Sequence, residues 1–147
     1  MRNRVGVMHG VNLDALGRRP AAHYGDLTLT ELEVQVKRWG HELGLETRFS
    51  QTNHEGEFCE ELHDSPEFAD GLVLNPGAWT HYSWAIRDAL EVAGLPAVEV
   101  HLSRVGEREE WRRESVIRDL CVATVQGKGA DGYREALELL RGSMGGS

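Results

Sequence analysis

Side chains that could transfer protons or bind an acid are concentrated after three short apolar runs of the sequence. The segment HGVNLDALGRRPAAHYGDL follows the first run, NPG and WTH follow the third, and HLS follows the fourth. Amide, imidazole and phenol groups suit an acid/base or ligand-binding site, and a guanidinium offers a planar fork of donors to a carboxylate. The residues concerned are Asn12, Arg18, Arg19, His23, Tyr24, Asn75, His81, His101, Leu102, Ser103, Arg104, Arg108, Arg112 and Arg113.

Tyr24 and two of the histidines are the sharpest candidates for proton transfer. The pKa of a phenol in water is about 10, so Tyr24 can act as a base at neutral pH only if nearby cations stabilise the phenolate. Arg19 lies close before it in the same segment. The alternative for Tyr24 is an ordinary packing or hydrogen-bonding role, and for His81 and His101 it is structural hydrogen bonding at a strand end.

Other catalytic chemistries find no support in the sequence. The chain has no Gly-x-Ser-x-Gly elbow, no cysteine among these segments and no His/Cys spacing typical of metal ligands, so we expect a metal-free acid/base or binding site. GKGADG, residues 127–132, matches G-x-G-x-x-G, but the following strand and the acidic residue about twenty positions on are missing. We interpret this motif as a site of tight helix-to-sheet packing.

Length and composition restrict the class of protein. A chain of 147 residues corresponds to one domain, and its net charge of −8 is a poor match for nucleic acid or an anionic membrane. Two cysteines in segments predicted to be regular favour a reducing compartment, and neither a signal peptide nor a membrane-spanning run is recognisable. We therefore expect a cytoplasmic protein with no nucleic-acid or membrane partner.

Strand and helix patterns alternate along the chain and must position these groups. Capping boxes at Thr28/Glu31 and Thr52/Glu55 predict helix starts, and long helical patterns cover 80–93 and 131–141. Alternation of this kind predicts an α/β flavodoxin-like fold, a doubly wound five-stranded parallel sheet with helices on both faces. The predicted strands are Arg4–Met8, Glu46–Ser50, Gly71–Leu74, Ala97–Val100 and Leu120–Val125.

The domain boundaries and the place of the site follow from this pattern. Residues 1–141 are predicted to form a single catalytic domain, and the Gly/Ser-rich residues 142–147 to be disordered. Ligands of open parallel sheets bind beyond the carboxyl ends of the strands, where the polar segments begin. The long first segment, without strong periodicity, is predicted to be a lid or binding loop.

Five ordered segments resemble the type II 3-dehydroquinate dehydratases over residues 3–141. The family pattern GPNLNLLGxREPxxYG corresponds to HGVNLDALGRRPAAHYG in this sequence, and QSNHEGELIDxIH corresponds to QTNHEGEFCEELH. NPGAYTHTSxAIRDAL stands as NPGAWTHYSWAIRDAL, and IEVHxSNxxxREEFRxxS as VEVHLSRVGEREEWRRES. GxGxxGYxxAL stands as GKGADGYREAL.

The resemblance implies a hydro-lyase that converts 3-dehydroquinate to 3-dehydroshikimate by anti elimination through an enolate, without a cofactor. The step would serve aromatic biosynthesis or quinate breakdown. Tyr24 matches the family's base, which removes a C2 proton, and Arg19 matches the residue that activates it. Asn12 matches the side chain that positions a water near the enolate oxygen. His101 matches the acid that protonates the departing C1 hydroxyl, and Glu99 the carboxylate that orients it.

Further matches imply contacts with the substrate and with a second subunit. Arg108 matches a loop residue linked to the catalytic tyrosine, and Asp88 matches a helix residue that reaches into the neighbouring subunit's site. The implied assembly is a homo-oligomer, a trimer that usually forms a dodecamer of four trimers. The implied substrate contacts are Asn75, His81, Asp88, Leu102, Ser103 and Arg112.

Some positions depart from the family pattern and leave alternatives open. Val11 replaces Pro, Pro20-Ala21 replaces Glu-Pro, and Arg104 and Gly106 replace Asn and His. Pro20 biases Arg19 towards extended backbone, and Arg104 would add a cation near the substrate. The alternatives are a divergent member acting on a different carboxylated cyclic hydroxyketone and a non-catalytic ligand-binding relative.

Overall fold

A five-stranded parallel sheet forms the centre of the computed structural model, which describes residues 2–145. The strands lie in the order β2-β1-β3-β4-β5, and every neighbouring pair is parallel. They are β1 (Arg4–His9), β2 (Glu46–Gln51), β3 (Gly71–Asn75), β4 (Ala97–His101) and β5 (Ala123–Gln126). The helices are α1 (Ala21–Tyr24), α2 (Leu29–Glu42), α3 (Glu55–Asp64), α4 (Trp84–Ala93) and α5 (Asp131–Ser143).

Helices cover both faces of the sheet, which confirms the predicted flavodoxin-like α/β fold. Val7 faces one apolar cluster, in which α2 and α5 pack on the sheet, and its neighbour Met8 faces the other, built with α3 and α4. Because both faces are covered, β3 and β4 are buried along their whole length. Within the described part of the chain, no helix is long and apolar enough to cross a membrane.

Only one of the two predicted capping boxes is present. The Thr28 hydroxyl accepts from the Glu31 N–H at 3.2 Å, and the Glu31 carboxylate accepts from the Thr28 N–H at 2.9 Å. The prediction of a Thr52/Glu55 capping box is wrong, because α3 starts at Glu55. Its N-cap residue is His54, whose side chain makes no capping hydrogen bond. Instead, the Glu55 carboxylate accepts a hydrogen bond from the hydroxyl of Ser83 at the start of α4.

Several predicted boundaries also shift. The helix predicted over 80–93 is a short 3-10 helix, Gly77–His81, followed by α4, and the Ser83 hydroxyl caps α4 by accepting from the Ile86 N–H at 3.0 Å. The strand predicted from Leu120 begins at Ala123, because Arg118–Leu120 forms a 3-10 turn. The first junction contains a 3-10 helix, Leu13–Arg18, and α1 rather than a loop, since buried leucines at 13 and 16 anchor it.

The chain end is more ordered than expected up to its last described residues. Helix α5 continues to Ser143, and Met144 is only 3% exposed within the core cluster. A Cβ added at Gly71 would meet the Met144 side chain at 2.9 Å, which shows how closely this methionine packs on β3. The prediction of disorder is therefore wrong for residues 142–144. Residues 146–147 lie outside the described residues.

A close backbone approach joins the first and third strand junctions. The Gly10 N–H donates to the Asn75 carbonyl at 2.8 Å, directly after both strands end. A Cβ on Gly10 would lie 2.2 Å from the Pro76 carbonyl oxygen, a backbone atom that cannot move aside cheaply. Glycine at this position therefore lets the two junctions meet at the sheet edge.

A buried polar chain lies beneath the same edge. The Gly77 N–H donates to Asn75 Oδ1 at 3.2 Å, and Asn75 Nδ2 donates to Tyr133 Oη at 2.9 Å. Since Tyr133 Oη already accepts from Asn75, its hydrogen is directed to His9 Nε2, 2.9 Å away. Burial lowers the pKa of His9 to about 4, so the imidazole is neutral and accepts this bond.

His9 makes folding stability depend on pH. The folded pKa of about 4 is below the ordinary 6.5, so between these pH values the unfolded chain binds a proton that the folded chain does not. Stability should therefore fall as pH drops through this window, by roughly 3 kcal/mol from His9 alone. We expect His9→Asn, measured by urea unfolding, to lose correspondingly less stability than wild type between about pH 7 and pH 4. Parallel pH dependences of the two proteins would contradict this assignment.

Candidate active site

A cavity of about 270 Å³ opens at the carboxyl ends of β1, β3 and β4. All three predicted polar junctions contribute to its wall, as the parallel topology requires. The predicted site residues among its lining are Asn12, Arg19, Tyr24, Asn75, His81, His101, Leu102, Ser103 and Arg112. Leu13, Gly77, Ala78, Val105 and Trp111 complete the lining.

Two guanidinium groups hold the Tyr24 hydroxyl. Arg19 Nη2 donates to Tyr24 Oη at 2.9 Å, and Arg108 Nη1 donates to the same oxygen. The Arg19 guanidinium carbon also lies 4.0 Å from the centre of the Tyr24 ring. Arg19 has extended backbone, φ −99° and ψ 160°, as expected before Pro20. Two cationic donors on one phenol oxygen stabilise negative charge there.

His101 is paired with a fully buried carboxylate. Glu99 Oε2 lies 2.6 Å from His101 Nε2 and accepts from Thr80 Oγ1 at 2.5 Å, while Oε1 accepts from Ser115 Oγ at 2.8 Å. Burial is the largest single influence and raises the pKa of Glu99, but the hydrogen bonds from His101, Thr80 and Ser115 and the attraction of His101 outweigh it. The resulting pKa is below the usual value, so an ionised Glu99 holds His101 through Nε2 and leaves Nδ1 for another partner.

His81 and Trp111 form an aromatic wall beside His101. His81 Nδ1 donates to the Glu114 carbonyl at 2.6 Å, and its ring stacks on that of His101 at 6.4 Å. Trp111 meets His81 edge-on at 5.3 Å, and the Arg112 guanidinium lies 4.2 Å from the Trp111 ring centre. Burial is the main reason that the pKa of His81 is lowered, so its neutral ring offers Nε2 as an acceptor.

The G-x-G-x-x-G segment supports the β4 junction from behind. The Gly127 N–H donates to the Ser103 carbonyl at 3.1 Å, and the Gly129 N–H donates to the Leu102 carbonyl at 3.3 Å. A Cβ on Gly132 would meet Val125 on β5 at 3.3 Å, a contact tighter than most. These contacts agree with tight helix-to-sheet packing, the role predicted for this motif.

Not every predicted residue belongs to the cavity wall. Asp88 is exposed on α4, outside the cavity of the single chain. Arg104 packs over Gly127 and pairs with Glu107 at 3.4 Å, so it does not supply the expected cation near the substrate. Glu99 and Arg108 do not line the cavity, but they form hydrogen bonds with His101 and Tyr24, which do. Arg18, His23 and Arg113 are also absent from the lining.

Sequence reasoning missed the residues that hold the site residues. Thr80 and Ser115 complete the hydrogen bonds of Glu99, and Tyr133 fixes the Asn75 amide. The sequence gives one indication that Trp111 belongs to the site: it is a tryptophan between charged residues in the segment after β4. Within residues 2–145, no group of three or more His, Cys, Asp or Glu side chains could hold a metal ion.

Known proteins share both the sequence and the architecture. Residues 3–141 match the family described as dehydroquinase class II. A 3-dehydroquinate dehydratase of Thermotoga neapolitana is 48% identical over 135 residues, 92% of each chain. A 3-dehydroquinate dehydratase of Syntrophotalea carbinolica is 46% identical over 135 residues, 91% of each chain.

Solved structures agree with these relatives. The type II dehydroquinase of Butyrivibrio crossotus superposes with a TM-score of 0.91 at 37% identity, covering 95% of this chain and 98% of that one. A 3-dehydroquinate dehydratase-like protein of Bifidobacterium longum gives a TM-score of 0.70 at 31% identity, covering 98% of this chain and 99% of that one. The resemblance carried by the five segments is thus confirmed, and the chain belongs to the class II dehydroquinase family.

Proposed function

We propose that this protein is a 3-dehydroquinate dehydratase that eliminates water in the anti sense through an enolate. The observation that carries the proposal is a single cavity containing a tyrosine hydroxyl held by two guanidinium groups and a histidine paired with a buried glutamate. A β-hydroxyketone loses water once its α-proton is removed, which requires a base, an oxyanion stabiliser and an acid. Relatives named for this activity support the assignment.

Tyr24 starts the reaction as a phenolate. Its oxygen takes one proton from C2 of 3-dehydroquinate, the C–H electron pair becomes the C2–C3 double bond, and the carbonyl π pair moves onto the C3 oxygen of the enolate. Arg19 and Arg108 stabilise the phenolate before the transfer through the two hydrogen bonds to Oη. Asn12, in the cavity wall, positions a water that donates to the enolate oxygen at C3.

His101 completes the elimination as the acid. The enolate oxygen re-forms the C3 ketone, the C2–C3 π pair becomes the C1–C2 double bond, and the C1–O bond breaks with its electron pair on oxygen. His101 gives a proton to the leaving hydroxyl, which departs as water. Glu99 orients the His101 ring for this step, because its carboxylate accepts from Nε2. Tyr24 then releases its proton and His101 takes one up from solvent, which restores the site.

The remaining cavity residues bind the substrate. Arg112 suits the ring carboxylate, and Asn75, His81 and the backbone of Leu102 and Ser103 suit its hydroxyl groups. None of the described lining residues is a lysine that could form an imine with the ketone, which favours the enolate route. Arg104 packs over Gly127 and pairs with Glu107, so it does not support the alternative of a different cyclic acid.

We also propose that neighbouring subunits of a homo-oligomer, a trimer that assembles into a dodecamer, complete the site through Asp88. That carboxylate is exposed on α4, and Tyr82 and Trp84 near the start of the helix are 56% and 65% exposed, a surface suited to subunit contact. Free Cys59 and Cys121 are compatible with reaction in the cytoplasm.

Removing the base should abolish most turnover without unfolding the protein. We expect Tyr24→Phe to lower kcat by about 10²- to 10⁴-fold, measured from the ultraviolet absorbance of the conjugated enone product. Glu42→Gln, at an exposed position of α2 outside the cavity, is the control and should retain activity. Wild type without turnover would refute the proposed function, and full activity of Tyr24→Phe would refute only the identity of the base.

Removing the charge behind His101 should weaken the acid. Glu99→Gln is expected to lower kcat on the order of 10- to 100-fold, through loss of a charge-assisted hydrogen bond. Glu42→Gln, exposed on α2, is the control. Unchanged kcat in a folded Glu99→Gln variant would argue against its role.

Subunit sharing can be tested by complementation. Tyr24→Phe and Asp88→Asn should each be poorly active alone, but mixed oligomers contain sites with one intact Tyr24 and a neighbour's intact Asp88. After co-refolding equal amounts, we expect about a quarter of wild-type activity to return, from random assortment. No recovery in oligomers that mass spectrometry shows to be mixed would contradict the shared site.

A further inference from the structure

Asn12 carries its side chain into the cavity from an unusual backbone conformation. Its φ is 69° and its ψ is 2°, the left-handed region, and it is the one non-glycine residue with positive φ among residues 2–145. Such a conformation costs on the order of 1 kcal/mol or more, although asparagine tolerates it better than most residues. The surrounding contacts must therefore maintain it.

Asn53 makes those contacts from the neighbouring strand junction. Its Oδ1 accepts from the Asn12 backbone N–H at 2.8 Å and from Gln51 Nε2 at 3.2 Å. Its Nδ2 donates to Asp14 Oδ2 at 3.1 Å. Only the amide oxygen can accept from a backbone N–H, so the Asn12 contact fixes the orientation of the Asn53 amide. Both ends of one side chain thus hold residues 12–14.

Strand pairing places these partners side by side. His9 on β1 lies opposite Gln51 on β2, so the residues that follow the two strands leave the sheet together. The Gln51 amide also donates to the Gly10 carbonyl at 3.2 Å, which adds a third link between the two junctions. Asn53 itself is absent from the cavity lining, so it acts on the site through the segment that it holds, residues 12–14.

We propose that Asn53 is a positioning residue for the oxyanion side of the site. It holds the left-handed turn at Asn12, and thereby keeps the Asn12 side chain where the enolate oxygen develops. This inference rests on the proposed function of Asn12. Since the affected interaction strengthens as the enolate forms, loss of Asn53 lowers kcat more than it raises KM.

A cycle of variants with Asp14 tests the proposal. Asn53→Ala removes every contact and should lower kcat by about 10- to 30-fold, with KM changed less than about 3-fold. Asn53→Asp keeps the acceptor for Asn12 but sets two carboxylates against each other, so its kcat should also fall. Asp14→Asn alone still offers an amide oxygen to Asn53 and should be near wild type.

Combining Asn53→Asp with Asp14→Asn restores a donor and an acceptor in exchanged positions. We expect kcat of this double variant to return to within about 3-fold of wild type, a recovery that general destabilisation would not produce. His54→Ala, at an exposed neighbour outside the cavity, is the control that should leave kcat unchanged. Wild-type kcat in Asn53→Ala, or no recovery in a folded double variant, would overturn the role of Asn53.

A second readout separates this inference from the proposed function. Amide hydrogen exchange at Asn12, followed by NMR, should accelerate in Asn53→Ala and recover in the double variant, because the N–H loses and then regains its acceptor. This measurement needs no turnover. Unchanged exchange at Asn12 would overturn the inference even in an active enzyme, and turnover failure of wild type would refute only the proposed function.

Discussion

The contact of two guanidinium groups with the Tyr24 hydroxyl is the interaction on which the rest of the site depends. Arg19 is close in sequence to Tyr24, but Arg108 lies 84 residues away in the segment after β4. The two segments meet because the parallel sheet ends β1 and β4 at the same edge. The anchored first junction, with Leu13 and Leu16 buried, therefore determines where the phenol stands.

The other reactive groups follow the same principle of support from the core. His101 is held by Glu99, whose carboxylate is buried and bonded on both oxygens, and Asn75 is held by Tyr133. Buried polar groups are costly without hydrogen-bond partners, so these bonds favour one orientation of the Glu99 carboxylate and of the Asn75 amide. In the proposed mechanism, these bonds hold the side chains in place before charge develops, although the chain as a whole carries −8.

Local patterns predicted the architecture well, and tertiary contacts explain where they failed. The alternation of strands and helices and the Thr28 capping box depend on neighbouring residues and are confirmed. The Thr52 box failed because Glu55 binds Ser83, 28 residues away. In the site, motif positions identified the cavity side chains, whereas Thr80 and Ser115 could not be recognised, since their roles arise only when distant segments meet at Glu99. The direction of the Arg104 side chain could not be predicted from its position after β4 either.

We assign proton removal to Tyr24 and proton donation to His101, which lie at two different strand junctions. The stereochemistry of water loss therefore tests this assignment most directly. The measurement uses 3-dehydroquinate with deuterium at one of the two C2 positions, followed by mass spectrometry of the product. We expect deuterium to be lost only from the position anti to the C1 hydroxyl and to be retained from the other. Loss from the syn position, or equal loss from both, would contradict a base and an acid acting from opposite sides of the ring.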